Sequence, residues 1–313
     1  MPLNIMKQIH YFYIFDNLFL FYLRVAMNFS DLTTFIAVAE QASFSKAAEL
    51  LYITQPAVTK RVQMLENNLD CRLFDRVGKR VYLTEAGRTL MPQARHILTC
   101  LQDVQRQLRN LSTHVAGPLH LATSHHIGLH RLAPVLRAFR RAYPEVQLNI
   151  TFDDSEVAHE MVRQGDIELA VVTLNPAGDS VLHYTTTWHD PLRFVSDDTQ
   201  RKSATLVELA EMPCVLPGTS TYTGRIVLET FATHGVDLQP AMSTNFLETI
   251  GMLVHVGLGW SVLPESMAGN LQIIEVEGVS IYRTLGCVTN PARALSNAAE
   301  AFLSILERHA DPM

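Results

Sequence analysis

Residues 43–69, SFSKAAELLYITQPAVTKRVQMLENNL, constrain this chain more than any other stretch, because they read as a short helix, a tight turn and a second helix with a polar outer face. Ser43 or Ser45 caps the first helix, the small pair Ala47-Ala48 admits a close neighbour, and Leu50 and Leu51 close it. Thr54 is placed to cap the second helix, and Pro56 falls in its first turn, where a missing N–H costs nothing. Val58, Val62, Leu65 and Leu69 then recur at helical spacing as one buried stripe, leaving Gln55, Thr59, Lys60, Arg61 and Gln63 for the opposite face. Glutamine suits adenine edges, arginine guanine edges, and lysine and threonine phosphates, so the pattern is that of a DNA reader. A plain helical hairpin with a solvated face fits this stretch alone equally well.

The flanks shift that balance. Leu32, Phe35, Ile36 and Ala39 form a preceding helix with its own apolar stripe, a third element for the pair to pack on. Downstream, Leu73-Phe74, a turn at Val77-Gly78-Lys79 and the alternating Val81-Tyr82-Leu83 read as a hairpin. Arg72, Arg76, Lys79, Arg80 and Arg88 make it basic against only Asp75 and Glu85, as a wing that straddles phosphates would be.

FxxxAExxSFSKAAELLYITQPAVTKRVQMLE followed by LFDRVGKRVYLTEAG resembles the N-terminal domain of LysR-type transcriptional regulators. The match rests on Phe35, Ala39, Ser43, Ala47-Ala48, Leu50, Gln55-Pro56-Ala57-Val58, Leu65-Glu66, Leu69, Leu73-Phe74, Arg76, Leu83-Thr84 and Ala86-Gly87. One departure is Asp70, where the family has glycine; aspartate tolerates the left-handed conformation at modest strain, so the turn is expected to survive. The resemblance implies an α/β fold with an N-terminal winged helix-turn-helix and a two-lobed effector domain like a periplasmic binding protein. It also implies a DNA-binding regulator rather than an enzyme, DNA contacts from Ser43, Ser45, Thr54, Gln55, Thr59, Lys60, Arg61, Arg76, Lys79 and Arg80, and RNA polymerase as a further partner.

From Thr84 the chain continues as a long helix in which Leu90, Ala94, Ile97, Leu101, Val104, Leu108 and Leu111 alternate in steps of four and three. Such a narrow seam flanked by Arg88, Arg95, Arg106 and Arg109 suits a partner helix better than burial in the same chain. A homodimer, or a homotetramer of such pairs, would then present two recognition helices to an interrupted inverted repeat of double-stranded DNA.

Gly117-Pro118 breaks that helix, and short apolar runs alternate with helical patterns thereafter. The strands expected are LHLATS, VQLNITF, IELAVVT, PLRFV, PCVLP, MSTN, GWSVLP, LQIIEV and YRTLGCV; helices are expected up to Tyr143, over 156–164, 206–210, 225–233, 247–256 and 294–309. The organisation read from this is an N-terminal extension over 1–26, a winged helix-turn-helix over 27–84, a dimerisation helix over 85–115 and a regulatory domain over 116–313. Within the last, lobe one takes 116–190 and 272–313 and lobe two 191–271.

Charge divides the chain in the same way. Residues 1–115 carry 13 Lys and Arg against 9 Asp and Glu, whereas 116–313 carry 12 against 22. A mildly basic reader joined to an acidic domain binds DNA weakly except at paired half-sites, which makes dimerisation necessary. Cys71, Cys100, Cys214 and Cys287 stand far apart without a CxxC pair, as in a reduced cytoplasmic protein without a zinc site. The apolar run over 9–23 is interrupted by Asp16 and too short to span a membrane, so an over-extended start with the true one at Met27 is the leading account of 1–26, and no membrane association is expected.

Two loops are candidates for a small, anionic effector. Ser124 and His125 follow the first strand of lobe one, and Thr219, Ser220 and Thr221 follow PCVLP in lobe two; each joins a strand end to a helix N-terminus and offers hydroxyls and free N–H groups. Asn245 is a third candidate, and Arg225 a source of added charge. His114, His120, His125, His126 and His130 crowd one stretch, yet nothing in their spacing obliges three to converge, so no metal site, cofactor or catalytic residue is assigned. A two-lobed solute-binding protein would share the C-terminal region but lack 43–69, and a redox- or metal-sensing regulator on the same scaffold stays open. A hydrolase lacks any nucleophile motif such as GxSxG.

Overall fold

The computed structural model describes residues 28–77, 80–112 and 114–311. The extension over 1–26, the start at Met27 and the wing tip with Lys79 lie outside the described residues. The chain divides into two compact units between Gln102 and Asp103.

In the first unit, helix α1 (Phe29–Gln41) starts where the Asn28 side chain accepts from Ser30 N, and α2 (Phe44–Leu50) where Ser43 accepts from Lys46 N. Helix α3 (Gln55–Leu69) carries Pro56 in its first turn; Thr54 occupies its N-cap position without a side-chain bond. Asp70 closes α3 at φ 51°, in the left-handed conformation that its departure from glycine required it to tolerate. Glu66 then turns back, its Oε1 accepting from Leu73 N at 2.7 Å, which fixes the entry into the antiparallel hairpin β1 (Phe74–Val77) and β2 (Arg80–Leu83). Leu32, Phe35, Val58, Val62, Leu65 and Leu73 form one core beneath the three helices and the wing.

Helix α4 (Glu85–Asn110) grows out of the wing. Gly87 is needed at its start, since a Cβ there would meet Leu73 O at 2.2 Å. The apolar seam of α4 is not uniform. Ala94 is fully buried in the first unit's core with Leu90 and Ile97 packed on it, whereas Val104, Leu108 and Leu111 are 51%, 63% and 82% exposed.

The second unit is built on a seven-stranded sheet. Strands β3 (Gly117–Thr123), β4 (Val146–Phe152) and β5 (Leu169–Thr173) run parallel, and helices α5 (His125–His130), α6 (Leu132–Ala142) and α7 (Ser155–Gln164) connect them. The expected helix up to Tyr143 is thus two, broken at Arg131. Strand β6 (His183–Ser196) follows, starting at His183 rather than at Pro191: the threonine run 185–187 is β-branched, and polar positions half-buried on a sheet hide the alternation that sequence reading looks for.

Next come α8 (Leu206–Ala210), β7 (Val215–Leu216), α9 (Tyr222–Thr233), β8 (Met242–Ser243), α10 (Leu247–His255), β9 (Ser261–Pro264), α11 (Glu265–Ala268), β10 (Gln272–Ile274), β11 (Ile281–Thr289) and α12 (Asn297–Glu307). The sheet order is β10-β6-β11-β5-β3-β4, with β9 also on β6. Long β6 and β11 run antiparallel through two cores, one around Leu121, Phe139, Val171 and Phe302 and one around Phe194, Phe231, Trp260 and Val262. Those cores define two lobes. Ile274 and Val276, placed in lobe one by the sequence division, are buried in the second core because β10 pairs with β6 rather than joining the first lobe's helices.

Candidate effector cleft and DNA-reading face

On α3, Gln55, Lys60 and Gln63 are exposed, and Gln55 Nε2 donates to Thr59 Oγ1 at 2.9 Å. Ser45 is exposed on α2, while Ser43 is engaged as its cap. Arg80 is exposed on the wing, and the side chain of Arg76 lies outside what the structure describes. Arg61 departs from the face expected for it. At about 100° per residue it lies about 120° around the helix from Gln55, so the two flank the buried stripe on opposite sides. Arg61 is half-buried against α1, its Nη1 reaching Thr34 Oγ1 at 3.5 Å. Nearby Asp31 is buried, which raises its carboxyl pKa, and the Arg61 charge opposes the rise.

Between the lobes of the second unit lies a cleft of about 290 Å³. Its first wall is the β3–α5 junction with Ser124, His125 and His126, together with Phe152 to Glu156; the second is formed by Thr221 to Thr223 and Asn245 to Glu248. Ser124 sits at the N-cap position of α5 and makes no cap bond, so its hydroxyl is available. His125 stands between Phe152 and Phe246, with ring centroids 6.2 and 6.0 Å away. Thr221 caps α9 by accepting from Gly224 N, and Asn245 bridges the lobes, accepting from Gly218 N and donating to Asp154 Oδ2 at 2.6 Å. Thr219 and Ser220 are exposed and do not line the cleft, because the loop turns their side chains outward before the helix starts. Arg225 is also outside it, its guanidinium 4.7 Å from the Tyr222 ring centroid.

Two charged groups that sequence reading missed dominate the cleft. Arg283, on β11, is 4% exposed: Nε donates to Asp190 Oδ2 at 2.8 Å, Nη1 donates to Thr223 Oγ1 at 3.0 Å, and Nη2 is buried without a partner. Burial pulls its pKa down and Asp190 opposes this. Asp190 also accepts from Arg131 Nη2 at 3.1 Å, so two cations share one buried carboxylate. The second group is Glu156, whose carboxylate accepts from Tyr222 N and thereby occupies the positive end of α9. Burial raises its pKa, and backbone hydrogen bonds act against the rise. The only sequence signal for Arg283 was a charge inside an otherwise apolar strand pattern; Glu156 reads as an ordinary first-turn helix acid.

Of the four thiols, Cys214 and Cys287 are buried, with burial pushing Cys287 up to about 12 and Cys214 above its usual value, so neither of these two readily forms the reactive thiolate; Cys71 is half-buried and Cys100 exposed. No described helix is long and apolar enough to cross a membrane.

A winged helix-turn-helix unit followed by a two-lobed α/β unit with a polar cleft defines a ligand-responsive DNA-binding protein. The family model of the LysR substrate binding domain matches residues 112–311, and that of the bacterial regulatory helix-turn-helix protein, lysR family, matches residues 29–88. The chain belongs to the LysR family of transcriptional regulators, which are DNA-binding proteins and not enzymes. A probable RuBisCO transcriptional regulator of Nostoc sp. is 30% identical over 299 residues, covering 88% of this chain and 87% of its own. A regulator in the ibpB-leuC intergenic region of Azotobacter vinelandii is 59% identical over 108 residues, 34% of this chain and 75% of its own. CbnR in complex with its target DNA has a TM-score of 0.64 at 22% identity, with 91% of this chain and 100% of that one covered. Full-length OxyR from Pseudomonas aeruginosa has a TM-score of 0.65 at 21% identity, covering 90% and 94%. At these identities the likeness to the solved structures is one of fold.

Proposed function

We propose that this regulator reads an interrupted inverted repeat as a homodimer or a pair of dimers, acts on RNA polymerase from the cytoplasm, and is controlled by a small anion bound in the cleft against Arg283. The observation that carries the anionic reading is the buried guanidinium with one idle nitrogen. A buried donor without a partner is costly, and an incoming carboxylate or phosphate oxygen satisfies it with a charge-assisted bond. Ser124 and His125 on one wall and Thr221 and Asn245 on the other supply polar contacts around the same cleft. Glu156 is the internal competitor, since it holds the helix end that an anion would seek.

DNA reading is assigned to Ser43, Ser45, Thr54, Gln55, Thr59 and Lys60 with Arg76, Lys79 and Arg80 on the wing, and Arg61 is given instead the role of holding α3 on α1. Pairing is assigned to Leu101, Val104, Leu108 and Leu111; Leu90, Ala94 and Ile97 serve their own unit's core. A thermal-shift panel of organic and inorganic acids on the full chain tests the cleft: stabilising hits are expected to be lost in Arg283→Gln and weakened in Ser124→Ala. Hits unchanged in both variants place the effector elsewhere.

A further inference from the structure

His126 is 4% exposed in the cleft wall, and neither of its ring nitrogens has a hydrogen-bond partner. Buried polar atoms are paired in the great majority of cases, so two idle nitrogens on one imidazole ask for a ligand. Burial, and then the Arg283 charge, pull its pKa down to about 3, which leaves the ring neutral with a lone pair to give. One turn along α5 stands His130, with ring centroids 4.8 Å apart. Opposite, on α10 of the second lobe, Glu248 sets Oε1 3.5 Å from His130 Nε2, and that oxygen too is buried without a hydrogen bond. One ligand atom from each of the three residues falls within 4.8 Å of the others.

We propose that His126, His130 and Glu248 form a three-ligand site for a borderline divalent transition ion of the zinc type. Two imidazoles and a carboxylate are the donor set such ions take, and the i, i+4 spacing on α5 presents both rings to one side. With ligand atoms at about 2.1 Å from a tetrahedral ion, neighbours lie about 3.4 Å apart, so the groups must draw in by on the order of 1 Å. The side chains of His130 and Glu248 are each more than a third exposed, at 40% and 35%, and have the freedom to do so. Arg131 and Arg283 lie close by but are tied to the Asp190 carboxylate, which offsets part of their charge at the site.

Two donors come from one lobe and one from the other. The ion therefore favours the arrangement in which the lobes approach, to the extent that it binds that arrangement better. Its binding does not depend on an anion occupying the cleft. The untagged full-length protein, stripped with chelator, is titrated with Zn²⁺ by calorimetry and with Co²⁺ by visible absorption. One ion per chain is expected, with the tetrahedral Co²⁺ bands. His130→Gln and Glu248→Gln should each weaken binding at least about tenfold, the lower end of what losing even an outer partner of a metal site brings, and His130→Gln, which lies outside the cleft lining, should leave melting temperature and metal-free DNA affinity unchanged. A wild type that binds neither ion, or isotherms in both variants unchanged from wild type, overturns the site.

Discussion

Arg283 concentrates the chemistry of the cleft in one side chain. Losing a charge-assisted hydrogen bond of this kind costs about 1.5 to 3 kcal/mol, so Arg283→Gln should weaken the binding of an anionic hit by roughly ten- to a hundredfold in a calorimetric titration. Glu156→Gln keeps an oxygen for Tyr222 N but removes the competing charge, and should tighten the same ligand. Its pH behaviour has a definite sign. The folded-state pKa of Glu156 is raised above 4.5, so its stabilising contribution is full below 4.5 and lost as pH rises through the raised value. The gap in melting temperature between Glu156→Gln and wild type should therefore widen over that interval. On α3, Lys60→Ala with Gln55→Ala should cost about 1 to 3 kcal/mol of DNA affinity in a gel shift without lowering the melting temperature. Arg61→Ala should lower the melting temperature of the first unit, because its guanidinium serves Thr34 and Asp31.

Helices whose apolar stripes recur over several turns were legible from sequence: Val58, Val62 and Leu65 point inward as their spacing requires, and the caps at Ser43 and Thr221 sit where hydroxyls precede a helix. Elements defined by pairing were not. The first half of β6 is a strand because β11 lies beside it, a contact made by residues a hundred positions away, and no local pattern announces that. The seam of α4 shows the same limit, since one unbroken period covers both a stretch buried in its own unit's core at Ala94 and a stretch left exposed at Val104, Leu108 and Leu111. Leu108→Glu should separate dimers, read by light scattering, while leaving the first unit folded; Ala94→Glu should unfold that unit, because it places a charge in a sealed core. Gly87→Ala should destabilise it by about 1 to 3 kcal/mol or more in denaturant unfolding, because the added methyl runs into the backbone carbonyl of Leu73, which cannot swing aside as the Leu83 side chain beside it can.

At the scale of the whole molecule, sequence alone carried the family and the reader, because both rest on contiguous motifs, and the two-lobed domain followed from the family resemblance and the alternation of strand and helix patterns. The cleft did not emerge in the same way. Ser124, His125, Thr221 and Asn245 were visible as loop residues at helix starts, whereas Glu156 and Arg283, the latter held by Asp190, come to the cleft only once elements from distant parts of the chain are placed. In the proposed dimer, an acidic effector domain joined to a mildly basic reader would make DNA affinity depend on two half-sites held at one spacing, and a ligand that prefers one arrangement of the lobes would have a lever on that spacing. The most direct measurement is a nuclease footprint of the full-length protein on its own binding sites, with and without the anion found in the acid panel, for wild type and for Arg283→Gln. The anion is expected to change the footprint of the wild type and not that of the variant, with equal DNA affinity in its absence. A footprint that the anion leaves unchanged in the wild type, or changes identically in both, would contradict the role proposed for the cleft.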